Sequence, residues 1–256
     1  MADPTKFRFS IDRGGTFTDV YAEVPGIQGK APGFAALKLL SEDPANYADA
    51  PREGIRRILE QVTGEPYPKE GFAAGQIEWI RMGTTVATNA LLERKGEPTV
   101  LVVTKGFGDV LRIGYQNRPR IFDLKIEKPD LLFREVVEAE ERVILQRPDS
   151  EVYRDLEKLH GVTGETLLLH TPLNRERVRQ DLQRAHDAGF RAVAVVLMHA
   201  YAYPGHELAL GEIAKEIGFT QISLSHQVMP SVKIVARGDT TTVDAYLTPH
   251  IQRYLE

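Results

Sequence analysis

With 256 residues the chain can form one large or two modest domains with a true core, and its 42% hydrophobic and 27% charged residues are those of an ordinary globular protein. A net charge of -4 without a basic stripe argues against a nucleic-acid partner, and the complete lack of cysteine excludes disulfides, thiolate nucleophiles and Cys-ligated zinc. The first six residues lack a signal-like apolar segment and the longest apolar run, Ala192 to Met198, is too short for a bilayer, so a soluble, cytoplasmic protein is expected.

Phe7, Phe9 and Ile11 alternate with Arg8, Ser10 and Asp12, a period-two strand that stops at Gly14-Gly15. The β pattern resumes from Thr16 to Val24, which predicts a hairpin tipped by Asp12 to Thr16. A third strand follows over 34–40, and Ser41-Glu42-Asp43-Pro44 reads as a helix start. The helix after it carries Ile55, Ile58, Leu59 and Val62 on one face and stops at Gly64. Strands are predicted over 77–82 and 99–104, with a helix over 86–95 between them. A short helix is expected after Gly106-Phe107-Gly108, then an irregular stretch over 114–129 and partial strand alternation over 135–146. Residues 148–172 give no clear pattern. A helix capped by Asn174, a strand over 191–199, a helix over 205–217 and a strand over 220–225 follow. The chain closes on a helical pattern over 240–256, interrupted at Pro249 and without a stop signal, as expected of a truncated chain. Strands in a run and then strands alternating with helices predict an α/β domain on a mixed sheet.

Three loops carry hydrogen-bonding groups suited to chemistry. In Asp12-Arg13-Gly14-Gly15-Thr16-Phe17-Thr18-Asp19-Val20, glycines at a hairpin tip permit positive φ and close approach to a ligand, and successive amides can cradle an anion. The hydroxyls of Thr16 and Thr18 add donors, and Asp12 is placed to hold Mg2+. The alternative is a plain turn with a solvated aspartate. Gly83-Thr84-Thr85-Val86-Ala87-Thr88-Asn89 hands a strand to a helix, so its first amides either favour an anion or are simply capped by a threonine. Arg112 and Arg118 flank a polar loop and suit a carboxylate, against the alternative of a solvated surface loop. His199, His206 and Glu207 form a weak metal or acid–base candidate, more simply structural, and Asp239 with Asp244 reads as a solvated helix start.

The segments 11–20, 82–96, 106–114, 116–119 and 237–249, taken in order, resemble the motifs of the hydantoinase/oxoprolinase family. The resemblance implies an actin/hexokinase-like (ASKHA, ribonuclease H-like) α/β fold: an N-terminal lobe with a mixed sheet, and an incomplete second lobe. It implies an N-terminal domain over 7–230 and the start of a hydantoinase A domain over 231–256. Within the family, residues 38–51 are most similar to members that open 5-oxo-L-proline to L-glutamate at the expense of ATP, in glutathione turnover, with Mg2+ and a monovalent cation such as K+. Carried over, Asp12 holds Mg2+ through water, and Arg13, Gly14, Gly15, Thr16 and Thr18 grip phosphate. Thr84 and Thr85 line the catalytic cleft, and Arg112 or Arg118 meets the substrate carboxylate. A homodimer is implied for the full-length protein. Family chains are much longer, so this chain is expected to lack turnover alone. Asp244 stands where many relatives carry Asn. An ATP-dependent hydantoinase or acetone carboxylase-type subunit, a sugar kinase and a non-catalytic binding or assembly module are the alternatives.

Overall fold

The computed structural model describes residues 3–27, 29, 31–69, 71, 74–115, 121–122, 124–125, 129–147, 153 and 155–255. They form two compact units, Met1–Arg94 and Lys95–Glu256. Residues 231–256 therefore belong to the second unit.

In the first unit β1 (Phe7–Arg13), β2 (Phe17–Val24) and β3 (Gly33–Leu40) form an antiparallel meander. Next come α1 (Ala50–Thr63), β4 (Ile77–Thr84) and α2 (Val86–Leu92). The sheet order is β3-β2-β1-β4, and β4 runs parallel to β1. This mixed sheet is the arrangement of an actin/hexokinase-like lobe. Alternation along β1 and β2 sends Phe7, Phe9, Ile11, Val20 and Ala22 to one face, where they pack with Ile55, Ile58 and Leu59 of α1. The opposite set, including Ser10, Asp12, Asp19, Tyr21 and Lys38, lines an open cleft of about 710 Å3.

The helix start differs from the one read at Ser41. Residues 41–49 instead make a tight turn in which Asp43 bridges Tyr47 and the Tyr47 hydroxyl donates to the Leu40 carbonyl at 2.7 Å. Helix α1 begins at Ala50, with Pro51 in its first turn, where a missing N–H costs nothing. It ends at Gly64, whose φ of 75° is the left-handed cap expected there. Glu53 is buried on α1; the hydrogen bond from Arg56, and then that from Arg57, outweighs desolvation and holds its carboxyl down at about 2.

The second unit contains β5 (Thr99–Thr104), α3 (Val110–Ile113), β6 (Phe133–Ala139), β7 (Arg142–Leu145), β8 (Glu157–His160), β9 (Thr166–Thr171), α4 (Arg175–Asp187), β10 (Ala192–Val196), α5 (Gly205–Ile217), β11 (Gln221–Leu224), α6 (Ser225–Val228) and α7 (Ile234–Leu255). Its main sheet is wholly parallel, ordered β11-β10-β5-β6. Helices α4 and α5 contribute Val178, Leu182, Leu210 and Ile213 to one face, and α3 and α7 contribute Leu111 and Ala245 to the other. Burial on both faces explains the unbroken apolar runs of β5 and β10. The unpatterned stretch 148–172 contains β8 and β9, which pair with β7 in a small antiparallel sheet. Helix α7 passes through Pro249 without a break, and Asp239 lies within it rather than at a helix start. Among the described residues no helix is long and apolar enough to cross a membrane.

Gly54 marks where α1 touches the sheet: a Cβ there would stand 2.5 Å from Val20 Cγ2. Gly54→Ala is therefore expected to destabilise by about 1–3 kcal/mol through overpacking, although alanine is the better helix former by about 1 kcal/mol. Urea unfolding checks the sign.

Candidate functional site

The site is assembled at the tip of the β1–β2 hairpin. The Gly14 amide donates to the Phe17 carbonyl at 2.9 Å and closes the turn. Gly14 thus spends its amide on the turn. Neither Gly14 nor Gly15 takes a positive φ. Both have close neighbours instead. A Cβ on Gly14 would lie 3.1 Å from the Phe17 carbonyl oxygen, and one on Gly15 would lie 2.9 Å from Asn89 Nδ2.

Ser41 ties the tip from below. Its amide donates to the Thr16 carbonyl at 2.9 Å, and its hydroxyl donates to the Gly14 carbonyl at 2.7 Å. The same hydroxyl lies 3.0 Å from Thr18 Oγ1, and Arg13 Nη2 reaches the Ser41 carbonyl at 3.4 Å. Thr18 is fully buried, and its hydroxyl supports the turn. In a trans peptide the C=O and the following N–H point in opposite directions. With the Gly14 carbonyl held by Ser41, the Gly15 N–H is directed away from that buried serine. Among the described residues the amides of Gly15 and Thr16 have no hydrogen-bond acceptor. The tip thus presents two adjacent unclaimed donors.

The Gly83–Asn89 segment joins the same place. The Arg13 carbonyl accepts from the Thr85 amide at 3.3 Å and from the Thr84 hydroxyl at 3.1 Å. Thr84 Oγ1 also accepts from the Val86 amide at 3.1 Å, and Thr85 Oγ1 accepts from Asn89 Nδ2 at 3.3 Å. Both threonines therefore brace the turn into α2, and the group they bring to the tip is the Asn89 amide above Gly15. Asp12 pairs in register with Asp19 on one side and Gly83 on the other, and lines the cleft. Lys38 Nζ neutralises Asp19 at 2.9 Å. The Asp12 carboxylate is exposed and has no partner among the described residues. A solvated, unpartnered carboxylate fits a water-clad Mg2+, which prefers hard oxygen ligands and keeps several waters. Lys38 and Ser41 are neighbours of the site not picked out from sequence, whereas Asn89 belongs to the Gly83–Asn89 segment that was.

Arg112 lies in the second unit, on α3, exposed and 3.5 Å from Asp109. Arg118 lies outside the described residues. His206 Nδ1 is 2.8 Å from Glu141, and His226 Nδ1 is 2.6 Å from Glu207. His206 and Glu207, neighbours in sequence, thus serve different partners.

Comparison with known proteins places this geometry. The mixed β3-β2-β1-β4 sheet is that of a lobe of the actin/hexokinase type, and the crystal structure of an ATP-dependent caprolactamase from Pseudomonas jessenii matches the chain with a TM-score of 0.71 and 25% identity, over 97% of this chain and 32% of that one. Residues 8–218 match the hydantoinase/oxoprolinase N-terminal region, and the chain belongs to that family. It is 52% identical to 5-oxoprolinase of Dictyostelium discoideum over 97% of its length, and 54% identical to 5-oxoprolinase 1 of Arabidopsis thaliana over 98%. It spans 20% and 19% of those relatives.

If Ser41 is the tie that shapes the tip, Ser41→Ala should cost about 1–3 kcal/mol by leaving Thr18 and the Gly14 carbonyl without a partner. Adding Thr18→Val should recover part of the loss in the same urea unfolding experiment.

Proposed function

We propose that the chain is the phosphate-gripping N-terminal part of a 5-oxoprolinase, which opens 5-oxo-L-proline to L-glutamate while ATP becomes ADP and phosphate. The observation that carries this reading is the hairpin tip, whose Gly15 and Thr16 amides are unclaimed, at the end of the strand whose Asp12 carboxylate opens on the cleft. The high identity to proteins of that name supports the choice of substrate.

A lactam carbonyl is a poor electrophile because the ring nitrogen feeds its electrons into it. Transfer of the γ-phosphoryl group to the lactam oxygen, as the bond to ADP breaks, makes the ring carbon open to water. Two waters are consumed in all, one to open the C–N bond and one to free the phosphate. Little covalent chemistry falls to the protein, so its work is positioning and charge stabilisation. In this reading Gly15 and Thr16 donate to phosphate oxygens, and the Asn89 amide sits at the edge of the same pocket. Thr84 and Thr85 hold the Arg13 carbonyl and so fix the tip. Asp12 would hold Mg2+ through water, and the ion would offset the charge that develops on the phosphates. A monovalent cation such as K+, a cytoplasmic setting in glutathione turnover and a homodimer belong to the same proposal.

The test is made on the full-length protein. Asp12→Ala should lower 5-oxoproline-dependent phosphate release by roughly 100-fold or more, the scale of losing an electrostatic stabiliser of transition-state charge. Calorimetry should show weakened Mg-ATP binding in the same variant. Equal turnover and equal affinity would instead favour a module whose role is assembly.

A further inference from the structure

The parallel sheet of the second unit has a topological switch point that the nucleotide reading leaves unused. The chain moves from β5 to β6 on one side, and from β10 to β11 on the other. In open parallel sheets the crevice at such a reversal, beyond the carboxyl ends of the strands, is where ligands bind. Here the strands concerned are β5, ending at Thr104, and β10, ending at Val196.

An account of the polar groups there separates structural from spare. Thr104 Oγ1 accepts from the Met198 amide at 2.9 Å and donates to Glu141, whose other oxygen meets His206. Glu207 is fully buried and accepts from the Leu197 amide at 2.9 Å, Ser225 Oγ at 2.6 Å and the amide and ring of His226. Arg237, also fully buried, donates to the Leu197 carbonyl at 2.6 Å and to Ser225 Oγ at 2.9 Å. Every carboxylate of this network is spent on a neighbour.

Two side chains are not. His199 has a φ of 58°, an uncommon and strained state for a residue with a side chain. Its ring makes no hydrogen bond among the described residues and meets the Tyr201 ring edge-on at 6.1 Å. Tyr201 is 6% exposed; its hydroxyl makes no hydrogen bond among the described residues and reaches solvent, free to meet a ligand. Arg237, Arg142 and Arg147 act to lower the His199 pKa and Glu141 acts to raise it, while Glu207 in turn acts on Arg237. Burial, and then Arg237, holds the imidazole below its ordinary value, so near neutral pH it is uncharged and keeps one ring N–H to donate. A turn alone would be served by glycine at position 199; neither the imidazole nor the buried phenol is needed for it.

We propose that His199 and Tyr201, at the carboxyl edge of this sheet, form a binding corner for a small oxyanion, a carboxylate or a phosphate, in a locally electropositive setting. The ring N–H and the phenol O–H supply the two directed donors, and Arg237 beneath the Tyr201 ring, 5.9 Å from its centre, supplies charge. The corner lies wholly within the second unit and stands whether or not the hairpin of the first unit binds nucleotide.

The test follows the histidine ring resonances of the full 256-residue chain by NMR at neutral pH. It titrates in turn 5-oxo-L-proline, L-glutamate and inorganic phosphate, with His199→Gln assigning the signal. Saturable movement of the His199 signals by any one probe is expected, and the responding probe separates a carboxylate from a phosphate site. Tyr201→Phe should weaken that probe about tenfold, the worth of one hydrogen bond to a charged group, with its thermal unfolding unchanged. No saturable movement with any of the three, or movement equally strong in Tyr201→Phe, would overturn the proposal.

Discussion

The Ser41 knot is the constraint on which the candidate site depends. One residue at the end of β3 uses its amide, hydroxyl and carbonyl on Thr16, Gly14, Thr18 and Arg13. Those bonds turn the Gly14 and Thr16 carbonyls inward. Because each peptide is planar and trans, the inward Gly14 carbonyl leaves the Gly15 amide outward. The Arg13 carbonyl is then taken by Thr84 and Thr85, which locks the end of β4 to the end of β1 and lays Asn89 on Gly15. The anion-binding role proposed for the tip therefore rests on what its other atoms are doing, with the threonines as braces.

That division of labour decides how much could be read from the chain alone. The hairpin, the buried strands and the amphipathic α1, α4 and α5 were legible because their periodicity is local and strong. Ser41 was read as a helix start because Ser-Glu-Asp-Pro satisfies the local chemistry of one. Its true partners lie 23 to 28 residues away, and no local pattern records them. Thr18 and Thr16 look equivalent in the motif, yet strand alternation buries one and leaves the other at the turn. Gly14 and Gly15 were read as glycines that permit a positive φ, yet neither takes one; what stands close to them is the Phe17 carbonyl and the Asn89 side chain. Pro249 was read as an interruption, but packing of Ala245, Tyr246 and Leu247 keeps α7 helical past it.

The second unit applies the same accounting to a different architecture. Its carboxylates and buried arginine are consumed in holding the strand ends and α7 together, so His206 and Glu207, adjacent in sequence, have separate structural duties. Such a network is costly to bury unless every member is satisfied, and among the described residues no buried side-chain polar atom is left wholly without a partner. Against that background the strained imidazole of His199 and the solvent-touching hydroxyl of Tyr201 stand out as groups kept for something other than stability.

Amide hydrogen exchange at single-residue resolution in the full-length protein, with and without Mg-ADP, probes the hairpin tip most directly. The account predicts that nucleotide slows exchange at Gly15 and Thr16 and leaves Gly14 unchanged, because Gly14 is already bonded to Phe17. Unaltered exchange at Gly15 and Thr16 under saturating nucleotide would contradict it.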